Sequence, residues 1–345
     1  MSKPTVRRYL KQLAPGTPLR AGLDRILHGG TGALIVLGNN RQVQLVSSGG
    51  FKIGVEFTEQ ALRELAKLDG AIILSTDLTQ IVAAGVHLVP EGDLPTAETG
   101  TRHRSADRTS QAAGLPVITV SASMGTISVF YEGHRHLVET VRQVTSRANQ
   151  TLAALSRIST RVTELLEQFT SLEIAEQVTL RDLTNVAHRL ELTRRLSSEM
   201  QFHIDLLGVE GRMVALQHDE LVASFAGVGD LLEQDYSPTV ADPSEFDLGR
   251  LHNFSHDELF SGQLVAERLG FGPNPNLEQH LPTRGIRLLT TVGRLPASLV
   301  SRLIDGSSLQ ELFGATLANL MEIDGIGPTR ARQIRDALIR VSEAT

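Results

Sequence analysis

The feature that most constrains the fold is a long central stretch of helical character. Val141–Phe169 contains no glycine or proline, and Ile174–Leu207 continues in the same style. Apolar residues in the second segment recur at helical spacing along one stripe: Leu180, Leu183, Val186, Ala187 and Leu190. The two segments predict long helices that connect a domain before them to a domain after them.

The charges divide the chain at similar places. Residues 1–145 hold 15 Lys and Arg against 12 Asp and Glu, residues 146–285 hold 11 against 21, and residues 286–345 hold 7 against 6. The middle is strongly acidic, so we expect any polyanion to bind at one of the ends. The length of 345 residues favours two or three domains. We place them at 1–145, 146–285 and 286–345.

Composition excludes several classes of protein. The chain has no cysteine, which rules out disulfides, thiolate nucleophiles and cysteine-ligated metals. No apolar run reaches the ~18–20 residues that a membrane span needs, and the N-terminus lacks the apolar core of a secretory signal. We therefore expect a cytoplasmic protein with no membrane partner. Neither a Walker A sequence nor a complete G-x-G-x-x-G occurs.

Residues 1–145 have the pattern of a mixed α/β domain. Helices are predicted at Val6–Leu13, Pro18–Leu27, Thr58–Leu68 and Arg102–Ala113, and strands at Ala33–Leu37, Gln42–Val46, Ala71–Leu74, Gln80–Ala84, Val117–Ser121, Thr126–Tyr131 and His136–Val138. Gln42–Val46 is interpreted as the second arm of a hairpin. The order of elements predicts a mixed sheet covered by helices, followed by an all-α spine and a small all-α C-terminal domain.

Asp69 and Gly70 form the first of two polar motifs in this domain. Asp69 lies between a helix end and a strand start, where a carboxylate can coordinate Mg²⁺ or Mn²⁺. Gly70 has no Cβ, so a flat group such as a nucleobase can approach its backbone closely. An isolated Asp-Gly is more often only a turn, and that reading stays open on spacing alone.

The second motif opens a helix at Thr101. Free N–H groups at a helix start attract phosphate, and the hydroxyls of Thr101 and Ser105 add donors. Arg102 and Arg104 supply guanidinium groups for phosphate oxygens, and His103 between them should resist protonation. The alternative is a solvated helix face without a ligand.

Three strings closely resemble the diadenylate cyclases. They are LAKLDGAI at 65–72, VHLVP at 86–90 and TGTRHR at 99–104. The resemblance implies that two ATP molecules are joined into cyclic di-AMP with release of two pyrophosphates, and that Mg²⁺ or Mn²⁺ is required. It implies a catalytic set of Asp69, Arg102, His103 and Arg104, with Asp69 as the metal ligand. It implies nucleotide contacts at Gly70, Leu88, Thr101, Arg102, His103, Arg104, Ser105 and Ser121.

Two positions depart from the pattern of that family. Ser105 stands where the family usually has threonine, and its hydroxyl is retained. Ala122 stands where a polar residue is often found. Because the implied product is two-fold symmetric, two identical half-sites that face each other are the simplest arrangement. A lone protomer is then expected to be inactive.

The C-terminal stretch from Leu320 to Ile334 resembles a helix-hairpin-helix, a motif that binds DNA without sequence specificity. Gly325 and Gly327 form the tight turn, and the next helix exposes N–H groups toward a DNA phosphate. Thr329 and Arg330 can add contacts. Binding of this kind is expected to depend strongly on salt. The alternative is a hairpin used only for packing.

The layout of cyclase domain, helical spine and C-terminal hairpin is similar to that of the diadenylate cyclases that also scan DNA for branched or damaged structures. It implies a homo-octamer whose cyclase output falls on branched or junction DNA. The alternative function is a nucleotide-sensing DNA scaffold without turnover. A third, an ordinary ATPase joined to a repair hairpin, is disfavoured by the absent Walker A sequence.

Overall fold

The computed structural model describes residues 4–236, 246–292, 294–305 and 308–343. The chain forms two compact units, Met1–Gln150 with Met200–Leu216 and Thr151–Glu199 with Gln217–Thr345. None of the helices within the described ranges is long and apolar enough to cross a membrane.

The first unit contains eight strands and the helices that cover them, counted over its described residues. The strands are β1 Ala33–Leu37, β2 Ser47–Ser48, β3 Phe51–Glu56, β4 Ala71–Leu74, β5 Gln80–Leu88, β6 Val117–Ser121, β7 Thr126–Tyr131 and β8 His134–Leu137. The helices before β8 are α1 Pro4–Gln12, α2 Pro18–His28, α3 Arg41–Leu45, α4 Glu59–Leu65 and α5 Thr101–Ala113.

The strands form one mixed sheet in the order β2-β5-β4-β1-β6-β7-β8, and β3 also pairs with β5. Only the pair of β1 and β4 is parallel among these strands, with Ile35 beside Ile72. The other pairs are antiparallel. Strands β1, β4 and β6 are buried along their whole length. Accordingly, β1 and β4 consist of apolar residues without alternation, whereas β6 also contains Thr119 and Ser121.

Both faces of the sheet are covered. Leu23, Ile26 and Leu62, on α2 and α4, pack on one face together with Leu13. On the other face, Ala106 and Ala113 of α5 and Val43 of α3 pack against β1 and β4. The predicted mixed sheet between helices is confirmed.

The interpretation of Gln42–Val46 as a hairpin arm is wrong, because residues 41–45 form helix α3. The Asn40 side chain accepts a hydrogen bond from the Val43 N–H at 2.8 Å and so caps this helix. Its amide also donates to the Ala113 carbonyl at 2.8 Å, and Val43 is fully buried. These long-range contacts favour a helix over the alternating pattern.

The remaining elements are helical. They are α6 Val141–Ile174, α7 Leu180–Leu207, a 3₁₀ turn Gly208–Gly211, α8 Arg212–Ala223, α9 Val228–Tyr236, a 3₁₀ turn Leu248–Asn253, α10 His256–Phe260, α11 Gly262–Arg268, a π-helical turn Leu288–Val292, α12 Ala297–Ile304, α13 Leu309–Gly314, α14 Leu317–Glu322 and α15 Pro328–Ser342. The predicted all-α spine and small helical C-terminal region are confirmed.

The second unit has two apolar clusters. One joins Phe169 of α6, Leu183 of α7 and Leu232 of α9. The other lies within residues 286–341, and Ile174 and Leu231 pack against it. The boundary predicted at 285/286 falls next to Ile286 and Arg287, whose N–H groups donate to the Asp235 carboxylate. These hydrogen bonds join residues on the two sides of the predicted limit, so they do not mark a domain boundary there. The three domain limits stay a prediction.

Candidate functional site

One edge of the sheet gathers the residues of both polar motifs. Since β5 and β6 run antiparallel to their neighbours, Ala71 pairs with Val86 and Ala33 pairs with Val120. The starts of β1 and β4 and the ends of β5 and β6 therefore share an edge, here called the site edge. Asp69 and Gly70 precede β4, Leu88 ends β5 and Ser121 ends β6.

Asp69 and Gly70 form the turn that enters β4. Both residues are exposed, so the carboxylate is accessible from solvent. Gly70 has a φ of 110°, a conformation that favours glycine. A Cβ at Gly70 would stand 2.7 Å from the Gly85 carbonyl carbon and 2.9 Å from the Val86 nitrogen. The absence of a Cβ at Gly70 is thus needed because β5 approaches closely. The sequence motif predicts a different reason for this glycine, the approach of a nucleobase.

The start of α5 is open to a ligand. Gly100 is the N-cap residue and offers no side-chain cap, so N–H groups of the first turn keep unused donor capacity. The first turn contains no acidic residue. Thr101, Arg102 and Arg104 are exposed, whereas Ser105 is half-buried. Positive charge at a helix start attracts anions and adds to the helix dipole.

Arg102 brings this helix start to the site edge. Its guanidinium lies against Gly32, the residue in the turn before β1, and Cζ is 3.4 Å from the position of a Cβ there. The Val120 carbonyl oxygen lies 3.0 Å from the same position. Ser121 follows Val120 and is 9% exposed. The Ser121 Oγ lies 3.4 Å from the Ser123 Oγ.

His103 is half-buried behind the two arginines. Its ring meets the edge of the Phe130 ring at a centroid distance of 5.9 Å. Burial lowers the pKa of His103 from its ordinary value, the positive charges of Arg135 and Arg102 lower it further, and Glu98 acts in the opposite direction. The imidazole is therefore neutral at pH 7. Its Nε2 is buried and has no hydrogen-bond partner among the described residues.

Arg135 is the neighbour that sequence patterns did not reveal. It lies on β8, where its Nε donates to the Ser128 Oγ at 3.1 Å and its Nη1 lies 3.4 Å from Glu98. Its contacts with β7 and with the segment before α5 hold it near the start of α5, where its charge lowers the pKa of His103. An alternating strand pattern gives no signal of such a role.

Arg102 and Arg104 carry charges that the described chain does not neutralise. Among the residues that the structure describes, no carboxylate lies within 4.0 Å of either guanidinium, whereas Arg135 has Glu98. Two unpaired arginines at the open start of a helix form a cationic surface suited to phosphate oxygens.

The donor set for a metal is sparse. In the described ranges, no group of three or more His, Asp and Glu side chains could hold a metal ion. Asp69 supplies a single carboxylate, so it can hold Mg²⁺ or Mn²⁺ when a phosphorylated ligand provides the other oxygen ligands. Binding through one or two carboxylates plus substrate phosphates is a common mode for Mg²⁺.

A separate candidate surface lies at the hairpin between α14 and α15. Gly325 has a φ of 76°, and the Ile326 N–H donates to the Ile323 carbonyl at 3.0 Å. Ile326 is buried at 4% exposure. Gly327 is the N-cap residue of α15 and has no side-chain cap. Thr329 and Arg330 are exposed in the first turn.

Two sequence models match the chain. The nucleotide-binding region of the DisA bacterial checkpoint controller matches residues 20–135, and the linker region of the same controller matches residues 138–278. Residues 20–135, which include the sheet and the start of α5, are therefore similar to the nucleotide-binding region of that class of protein.

Full-length relatives agree with this class. The DNA integrity scanning protein DisA of Cutibacterium acnes is 46% identical over 96% of this chain and 97% of its own length. The protein of that name from Streptomyces coelicolor is 44% identical over 99% of this chain and 92% of its own length. The chain belongs to the family of the DNA integrity scanning protein DisA.

Proposed function

We propose that the protein is a diadenylate cyclase, a nucleotidyltransferase that condenses two ATP molecules into cyclic di-AMP. The observation that carries the proposal is the site edge, where an exposed carboxylate, Asp69, shares one side of the sheet with the cationic start of α5. Membership in the family supports it. In each of two steps, a 3′-hydroxyl oxygen bonds to an α-phosphorus, the bond from that phosphorus to pyrophosphate breaks, and the hydroxyl proton is released to solvent water.

The start of α5 holds the phosphates in this proposal. Its free N–H groups and the hydroxyls of Thr101 and Ser105 donate to phosphate oxygens. Arg102 and Arg104 neutralise the charge that develops as pyrophosphate leaves. His103, which is neutral, donates one hydrogen bond without adding charge. Gly70, Leu88 and Ser121 line the nucleoside end of the site.

Asp69 would hold Mg²⁺ or Mn²⁺ together with the phosphates of ATP, and the ion would supply positive charge to the phosphate oxygens. One chain holds one ATP, so the reaction needs a second copy whose site faces the first. We propose that the assembly is a homo-octamer, as the resemblance to the cyclases implies.

Incubation of the full chain with ATP and Mg²⁺ or Mn²⁺ tests the proposal. We expect pyrophosphate and cyclic di-AMP, and an Asp69→Asn variant should lose about a thousandfold in turnover. Asp77→Asn is the matched control, because Asp77 follows β4 at the opposite edge of the sheet. Binding of ATP without product would favour the nucleotide-sensing scaffold, and ADP with phosphate would favour an ATPase.

We propose that the hairpin binds the DNA backbone, with branched or damaged DNA as the structure that is scanned. In support, Ile326 uses its N–H within the turn, whereas the N–H groups of Gly325 and Gly327 have no acceptor in the described part of the chain. These groups and the first turn of α15 can donate to phosphate oxygens. Thr329 and Arg330 add side-chain contacts.

Fluorescence anisotropy with labelled junction and duplex DNA tests this second activity. Arg330→Gln should weaken both complexes about tenfold and make the dependence on salt shallower. Arg157→Gln is the control, since Arg157 is exposed on α6. Equal binding by both variants would contradict the assignment of the hairpin.

A further inference from the structure

A second arginine lies against the hairpin turn, and it comes from another helix. Arg302 is exposed near the end of α12. A Cβ at Gly325 would stand 2.7 Å from the Arg302 Nη1 and 3.8 Å from its Cζ. The guanidinium of Arg302 therefore occupies the space beside Gly325.

Arg330 reaches the same residue from α15. Its Nη1 donates to the Gly325 carbonyl oxygen at 2.8 Å. Over the part of the chain that the structure describes, neither Arg302 nor Arg330 has a carboxylate within 4.0 Å. The carboxylates of Glu322 and Asp324 are close in sequence, and both residues are exposed. Two uncompensated guanidinium groups thus flank one turn.

This arrangement also gives a second reason for the glycine at position 325. A side chain there would be strained by the φ of 76° and would displace the Arg302 guanidinium. The turn therefore keeps its backbone exposed between two cations, which is a suitable receptor for a phosphate group.

We propose that Arg302 is a DNA-binding residue, which makes α12 part of the DNA-binding surface together with the hairpin. The inference rests on the proposed DNA binding and adds a phosphate contact that lies outside the motif. Arg302 and Arg330 approach the same turn from two helices, so they bind the same DNA phosphate or two adjacent ones. Because they contact the backbone, they add affinity rather than base preference.

The experiment uses the full chain with labelled duplex and junction DNA across a series of salt concentrations. Arg302→Gln should weaken binding about tenfold and reduce the slope of log K against log salt by about one. Arg302→Lys should keep the slope and lose only part of the affinity, because lysine retains the charge but not the planar fork. Arg157→Gln should bind as the wild type does.

The single Arg330→Gln variant and the wild type separate this inference from the proposed function. The double variant Arg302→Gln with Arg330→Gln tells whether the two arginines bind one phosphate. If they do, its fold-loss in DNA affinity should be smaller than the product of the two single losses. If they bind separate phosphates, its fold-loss should equal that product. Wild-type affinity in Arg302→Gln, or weaker binding with an unchanged salt slope, would overturn the role of Arg302. In both cases Arg330→Gln would still be weakened. Absence of DNA binding by the wild type would instead refute the proposed function.

Discussion

A buried ion pair in the second unit contrasts with the exposed arginines at the site edge. Glu173 is fully buried and Arg287 is 3% exposed, and the two form an ion pair. The Arg287 Nη2 also donates to the Thr170 Oγ1 at 2.8 Å, and the Tyr236 hydroxyl donates to the Glu173 Oε1 at 2.7 Å. Arg102 and Arg104 at the site edge are exposed.

This difference in burial and pairing distinguishes charges that stabilise the fold from charges that are available to bind a ligand. A buried ion costs free energy unless partners satisfy it, so Glu173 and Arg287 are surrounded by donors and acceptors. An exposed arginine at a helix start needs no protein partner and remains available for phosphate. The buried network should therefore control stability, and the site edge should control turnover.

The largest expected effect is on stability, from the buried pair. Arg287→Met leaves Glu173 buried without its cation and should lower the free energy of unfolding by about 3–5 kcal/mol. Circular dichroism during urea unfolding measures this. The matched control is Arg181→Met, because its ion pair with Glu278 is exposed and should contribute less than about 1 kcal/mol. Equal losses in both variants would remove the distinction between the two kinds of charge.

At the site edge the effect should fall on turnover alone. Arg104→Gln should reduce formation of cyclic di-AMP by about a hundredfold, since it removes a charge that stabilises the departing pyrophosphate. Its urea midpoint should match that of the wild type, because Arg104 is exposed. A stability loss that accounts for the lost activity would show that Arg104 supports the fold instead.

Asp235 should make stability depend on pH. Burial raises the pKa of this carboxyl to about 7, and Glu173 adds to the shift, while the N–H groups of Arg287 and Ile286 and the Arg287 charge oppose it. The folded chain then keeps a proton that the unfolded chain releases above about pH 4. Stability should fall by about 1 kcal/mol per pH unit between about pH 5 and pH 7.

Urea unfolding at several pH values measures the effect of Asp235. The Asp235→Asn variant cannot titrate at this position and should lose that part of the slope. A variant with the slope of the wild type would assign the pH dependence to other groups.

The smallest expected effect concerns His103. Removing a positive charge in Arg135→Gln should raise the pKa of His103 slightly, because burial is the main cause of the lowered pKa and the Arg135 charge adds to it. NMR titration of the histidine Cε1–H signals measures the change. Arg108→Gln is the control on the same helix, and an equal rise there would exclude a specific effect of Arg135.

The bounds of four strands were predicted to the residue: Ala33–Leu37, Ala71–Leu74, Val117–Ser121 and Thr126–Tyr131. The first two are short apolar runs, which are typical of buried strands. The other two are rich in β-branched and aromatic residues, which favour strands. Helix α3 was missed because the burial of Val43 depends on distant segments, although the Asn40 cap is a local signal for a helix start. Strand β3 was missed because Phe51–Glu56 is largely exposed and gives no core pattern.

The candidate site was predictable only as far as local motifs reach. The segments around Asp69 and Arg102 carry strings that resemble a family. The strand registers then place Asp69 at the site edge, and the contact with Gly32 brings Arg102 there. Gly32, Arg135 and Arg302 belong to no motif and enter through contacts between distant segments. Spacing along one sequence cannot reveal such contacts.

The most direct test of the central claim is the identity of the product made from ATP. Full-length protein with ATP and Mg²⁺ or Mn²⁺, analysed by chromatography and mass spectrometry, should yield cyclic di-AMP with two pyrophosphates per molecule. Asp69→Asn should form it about a thousandfold more slowly, while Asp77→Asn should match the wild type. Cyclic di-AMP formed at the wild-type rate by Asp69→Asn, or only ADP and phosphate from the wild type, would contradict the account.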